Sequence, residues 1–114
     1  VLTVYDKDAP TGLGWVHWVV ADIPADVRRL PSGITAQGRN LPRSALQTRT
    51  DFGQPGYGGA CPPAGRKHRY EFTMTARKVA RLPNITADAT PALVGFFTKA
   101  NSLGEAKFTV EYQR

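Results

Sequence analysis

The chain reads as a mainly β domain, an antiparallel sheet accompanied by one helix near the C-terminus. Three observations predict this. From His68 to Arg77, polar and apolar residues alternate strictly, as in a half-exposed antiparallel strand. Trp15 to Ile23 is apolar at nearly every position, as in a strand buried on both faces. Thr90-Pro91 is an N-cap followed by proline at the first helical position, and residues with helical spacing come after it.

Each element follows in order. Val1-Leu-Thr-Val-Tyr5 is β-branched and aromatic, hence a strand, ended by the turn-forming residues Asp6 to Pro10. Thr11 to Gly14 is a turn. In the strand from Trp15 to Ile23, strict alternation puts Trp15, His17, Val19 and Ala21 on one face, which sets a histidine in an apolar row. Pro24 stops it. Residues 25–63 are punctuated by proline and glycine, and only Ala45 to Thr48 reads as a strand there. A stretch this long without regular structure suits an ordered pocket wall. From His68 to Arg77, the face of His68, Tyr70, Phe72, Met74 and Ala76 points inward, and that of Arg69, Glu71, Thr73, Thr75 and Arg77 points outward. The helix runs from Pro91 to about Ser102, packs Leu93, Phe96, Phe97 and Ala100, and ends at Gly104. Ala106 to Gln113 alternates again and forms the last strand.

At 114 residues this is one domain, 1–114, with 41% hydrophobic and 21% charged residues. No apolar run is long enough to span a bilayer. The chain opens at Val1 inside a strand-like run without methionine, so the domain is expected to be incomplete at its N-terminus. The net charge of +6 is spread singly or in pairs rather than clustered, which argues against a nucleic-acid surface. The lone Cys61 is either a buried thiol or half of a disulfide with a partner upstream, which leaves cytoplasm and periplasm both open.

The chemistry-bearing residues fall in three stretches: Asp6-Lys-Asp-Ala-Pro10, Gly14-Trp-Val-His-Trp18, and Gly58-Gly-Ala-Cys-Pro-Pro-Ala-Gly-Arg-Lys-His-Arg-Tyr70. Asp6, Asp8, His17 and His68 could be metal ligands, but their spacing matches no metal signature, and neither metal nor cofactor is expected. Cys61 could serve a hydrolase, yet Pro62 behind it prevents a helix N-terminus from activating the thiol, and no enzyme is expected. Alternatively, the backbone N–H groups of Gly58, Gly59 and Ala60 could form an anion nest beside the histidines and the Tyr70 hydroxyl. An aspartate would then fix a histidine tautomer or meet a ligand cation. The histidines could equally be satisfied core groups.

Together these segments resemble the signature of the phosphatidylethanolamine-binding protein family, also known as the Raf kinase inhibitor protein family. Ala45-Leu-Gln-Thr-Arg-Thr-Asp-Phe-Gly53 is similar to its bacterial branch. The resemblance covers essentially the whole chain. It implies an antiparallel β-sandwich around a large central sheet, with a small pocket for phosphate, carboxylate or phospholipid head groups. It places Asp6, Asp8, His17, His68 and Tyr70 in that pocket, with Pro10, Trp15, Gly58, Gly59, Ala60 and Pro62 at its rim. The partner implied is a small anionic or zwitterionic ligand. The alternative is an enzyme, a kinase or protease, inhibited through docking at the rim. One departure stands out: where the family motif usually carries proline, this chain has Lys7, which frees a backbone N–H.

Overall fold

The computed structural model describes residues 1–24, 27, 34, 37–57, 65, 67–79, 81–82 and 84–113. Its strands are β1 (Leu2–Asp6), β2 (Trp15–Ala21), β3 (Leu46–Gln47), β4 (Lys67–Arg77) and β5 (Ser102–Gln113), and its helix is α1 (Pro91–Ala100). The strands form a single antiparallel sheet, in the order β3-β2-β1-β4-β5. A mainly β chain with a C-terminal helix is what the alternation and the Thr-Pro start predict. The disagreements lie in boundaries and faces.

β1 and β2 form a hairpin joined by the eight residues 7–14. Tyr5 donates from its hydroxyl to the carbonyl of Leu13, 2.8 Å away, and its ring passes over Gly14, where any Cβ would collide with it. Gly14 also holds a φ of +75°, so glycine is required there twice over. Beyond the turn the two strands pair Asp6 with Trp15 and Tyr5 with Val16, but Val4 with Trp18, a β-bulge that leaves His17 as the extra residue. The bulge overturns the predicted face. Val19 and Ala21 lie in the core under the helix, with Val16 packed against it, whereas Trp15 lies opposite Asp6 on the other side. β2 ends at Ala21 rather than Ile23, because Asp22 takes a left-handed φ of 56° and turns its carboxylate to the amide of Leu82 at 2.9 Å.

α1 starts as expected, with the Thr90 hydroxyl accepting from the Leu93 amide at 3.2 Å. It packs by a different stripe. Val94 and Thr98 are buried and Phe97 is half-buried, one helical turn apart on one side, while Leu93 and Phe96 face outward. The core lies between this stripe and Val1, Val19 and Ala21, closed by Leu82 and Ala89. The helix stops at Ala100 with Asn101 as its cap, and Gly104 lies inside β5, opposite Ala76 at a register shift. β5 therefore begins at Ser102, four residues before the alternation becomes visible at Ala106.

β4 keeps one register with β1 along Tyr70 to Met74, yet its burial changes sides. His68 and Tyr70 are buried, whereas further along it is Thr73 and Thr75 that are buried and Met74 and Ala76 that are exposed. The inward face expected for all of β4 holds only for its first half. Two cavities, of about 210 and about 1060 Å³, open at the Val1 end of the sheet.

Candidate functional site

The opposite end of the sheet gathers the polar residues. Antiparallel pairing sets Trp15, Asp6 and Tyr70 side by side on adjacent strands, with His68 two residues before Tyr70 on the same face. Asp6, which closes β1, is buried, and its Oδ2 lies 2.7 Å from Nδ1 of His68. Its other oxygen accepts from the Asp8 amide at 2.9 Å, an Asx turn that fixes the carboxylate. A carboxylate can only accept, so Nδ1 of His68 carries a proton and Nε2 faces the other way. Nε2 is buried and has no hydrogen-bond partner among the described residues.

His17 reaches the same place through the bulge. Its ring lies edge-on to Tyr70, 5.3 Å between centroids, and edge-on to Phe52 at the same distance. Tyr70 stacks in turn beside His68, 6.5 Å away. The loop after β3 supplies Phe52. Asp51 accepts from the Val16 amide at 2.7 Å and donates its own amide to the Val16 carbonyl at 3.1 Å, so the loop is tied directly to the hairpin. Phe52 covers Trp15 as well, 5.4 Å between rings.

Asp8 does something else. Its carboxylate receives the Arg69 amide at 2.8 Å and the guanidinium in a fork, Nε at 2.9 Å and Nη2 at 2.8 Å. These hydrogen bonds, the side-chain pair foremost, hold the Asp8 carboxyl well below the usual carboxylate range. Lys7 uses the amide that a proline would lack: its N–H donates to the Arg69 carbonyl at 3.0 Å, and Nζ lies 3.6 Å from Glu71.

Four of the residues singled out in the sequence, Asp6, His17, His68 and Tyr70, thus form one buried cluster, and Asp8 flanks it through Arg69. Trp15 lies at its edge, half-buried, and Pro10 is exposed on the turn. Gly58, Gly59, Ala60, Cys61 and Pro62 lie outside the described residues, so the nest and the thiol are not part of this geometry. Phe52 and Arg69 escaped the sequence reading. Arg69 falls between His68 and Tyr70 on the outward face, and only the Asx turn brings Asp8 round to meet it. Neither cavity at the Val1 end involves any of the clustered residues. No group of His, Cys, Asp and Glu suited to a metal ion occurs among the described residues.

The profile of the phosphatidylethanolamine-binding protein family matches residues 1–113. The chain belongs to this family. It is 48% identical to the protein YbhB of Escherichia coli K12 over 98% of its own length and 70% of that relative. To YbcL of the same organism it is 46% identical, over 98% of this chain and 62% of YbcL. The chain thus spans only part of the length of these relatives. The crystal structure of YbcL, described as a new member of the mammalian family, superposes with a TM-score of 0.93 at 45% identity, covering 99% of this chain and 70% of that one. A putative family homologue from Chlamydia trachomatis superposes at 0.81 with 26% identity, again over 99% and 70%. Both the expected family and its fold are therefore established for this chain.

Proposed function

We propose that the Asp6–His68–His17–Tyr70 cluster is a binding pocket for a small phosphate- or carboxylate-bearing ligand, of the kind found in phospholipid head groups. The observation that carries this reading is Nε2 of His68, buried and without a partner among the described residues, while Nδ1 is anchored on Asp6. A buried polar nitrogen left unpaired costs about 1–3 kcal/mol, so a structure that keeps one is served by a ligand that fills the gap. The Asp6 anchor points Nε2 in one direction. An imidazolium there donates to an anionic oxygen, and a neutral ring accepts from a protonated one. The aromatic walls of Tyr70, His17 and Phe52 exclude water and strengthen that bond.

Binding rather than turnover is favoured because no hydroxyl or thiol among the described residues bonds to His68, as an activated nucleophile would. Calorimetric titration with phosphoethanolamine, and separately with inorganic phosphate, tests the reading. Wild-type protein binds, and His68→Ala loses roughly 10- to 100-fold in affinity, as expected for one charge-assisted hydrogen bond. Equal binding by both proteins rejects the assignment.

A second reading, docking of a kinase or protease on the rim, is favoured by one feature. Leu13, Phe52 and Tyr57 are exposed, Leu13 by 85%, and Phe52 lies against His17 of the cluster. Crosslinking of a purified candidate enzyme to wild type and to Leu13→Asp separates the two readings, since the substitution leaves the His68 titration unchanged.

A further inference from the structure

The two aspartates beside the cluster are both engaged within the chain. Asp6 is 3% exposed, with one oxygen on His68 and the other on the Asp8 amide. That same bend carries the Asp8 side chain away from the cluster. Side chains alternate along β4, so Arg69 lies on the face opposite His68 and Tyr70, and Asp8 meets it there. The two Asp8 oxygens take three N–H donors from Arg69, which fills most of the roughly four lone-pair sites of a carboxylate and offsets its charge.

Lys7 holds this arrangement from the neighbouring strand. Asp6 opposite Tyr70 is the last pair of β1 and β4, and the Lys7 amide adds one more bond beyond it, 3.0 Å to the Arg69 carbonyl. Arg69 is thus fixed at its backbone by Lys7 and at its side chain by Asp8. The other acids nearby are committed as well. Asp51 accepts from the Val16 amide, and Glu71 lies 3.6 Å from both Lys7 and Lys107. The walls around His68 are aromatic: Tyr70, then His17, then Phe52.

We propose that the pocket recognises the anionic group of its ligand alone, because Lys7 and Arg69 withdraw Asp8 from it. This rests on the binding role proposed above for the cluster and names the ligand class more closely. A primary ammonium is bound by a carboxylate with lone pairs to spare, and here each neighbouring carboxylate is already held by the chain. The class is a phosphate monoester or carboxylate in which a cationic arm, where there is one, stays in water and adds no affinity.

Calorimetric titration with phosphoethanolamine and with ethyl phosphate, which has the same length and no amine, tests this as a ratio of affinities. In the wild type the two bind within about twofold of each other. Arg69→Gln frees Asp8, and phosphoethanolamine then gains about fivefold over ethyl phosphate, as expected of one partly exposed ion pair. The Arg69 side chain is about half exposed, so the variant folds, which circular dichroism confirms. Adding Asp8→Asn to Arg69→Gln returns the ratio to its wild-type value, which assigns the gain to Asp8. Phosphatidylcholine vesicles with and without phosphatidic acid identify the source of the anion. Wild type sedimenting with the acidic vesicles beyond the level of His68→Ala marks a lipid head group, equal sedimentation marks a soluble ester, and the proposal holds in both cases. A wild type that prefers phosphoethanolamine by about fivefold or more overturns the proposal and leaves the pocket standing. So does an Arg69→Gln ratio equal to that of the wild type. If neither probe binds, or neither responds to His68→Ala, the pocket itself is rejected and this inference falls with it.

Discussion

One face of one sheet has opposite character at its two ends. Beside β1, β4 buries His68 and Tyr70, at 1% and 3% exposure. Directly across, β5 presents Tyr112 and Val110, each 44% exposed. The polar pair is inside and its apolar neighbours are outside. Burial here follows what lies on top of each strand and not the hydrophobicity of the residue. Asp6, His17 and Phe52 cover the β4 end, and nothing among the described residues covers β5. On the reading proposed above, the buried polar pair is matched to a ligand.

The sharpest way to break this contrast is to remove the anchor at the buried end. Asp6→Ala leaves Nδ1 of His68 and the Asp8 amide without their acceptor. Leaving buried donors without their acceptor costs about 1–3 kcal/mol, seen as a lower urea midpoint at unchanged slope. Asp6→Asn keeps an acceptor for one of the two groups and loses less. A loss below about 1 kcal/mol for Asp6→Ala means that the end is open to water in solution, and the burial argument fails with it.

A paired substitution then compares the two ends through apolar residues. Val4 lies on the same face, two pairing positions from Asp6, and is 1% exposed, whereas Phe108 is the larger side chain but mostly exposed. Val4→Ala costs about 2 kcal/mol through lost burial and a residual cavity. Phe108→Ala costs under about 1 kcal/mol in the monomer, from dilute-solution thermal melts. The smaller deletion does more damage. If Phe108→Ala proves the costlier at every protein concentration, something in the same chain covers β5.

How much of this was legible depends on whether a feature is local. Alternation in β4, the apolar run of β2 and the Thr90 cap are local, and they located three of the elements within a few residues. The β2 bulge is not local. It exists because Val4 pairs with Trp18 while Tyr5 pairs with Val16, and no pattern within Trp15 to Ala21 announces it. The sequence therefore put His17 with Val19, although its ring rests on Tyr70. Helix α1 offered two apolar stripes, and the choice of Val94 over Phe96 was made by the sheet beneath it. Asp6, Asp8, His17, His68 and Tyr70 were recognisable as a set through their motifs. Their division of labour, with Asp6 on His68 and Asp8 on Arg69, needed the fold, because the partners are about sixty residues apart.

The smallest effect concerns the surface pair that flanks the buried end. Asp8 is held by the Arg69 fork, which depresses its carboxyl below the usual range. A group depressed on folding contributes stability that is complete above its unfolded value, near 4, and fades as the pH falls through the folded one. Between those values the unfolded chain takes up a proton that the folded chain refuses, so stability declines on acidification below about pH 4. Because the pair is at the surface, salt screens it and the decline is slight. Carboxyl-carbon NMR resolves it better than melting does. Asp8 stays ionised at about pH 3, where ordinary aspartates are largely protonated, and Arg69→Gln returns it to their company. Should Asp8 titrate with the rest in the wild type, the fork does not persist in solution, and Asp8 is free to turn toward a ligand amine. That outcome would enlarge the binding end of the sheet by one carboxylate while leaving the Asp6–His68 anchor untouched.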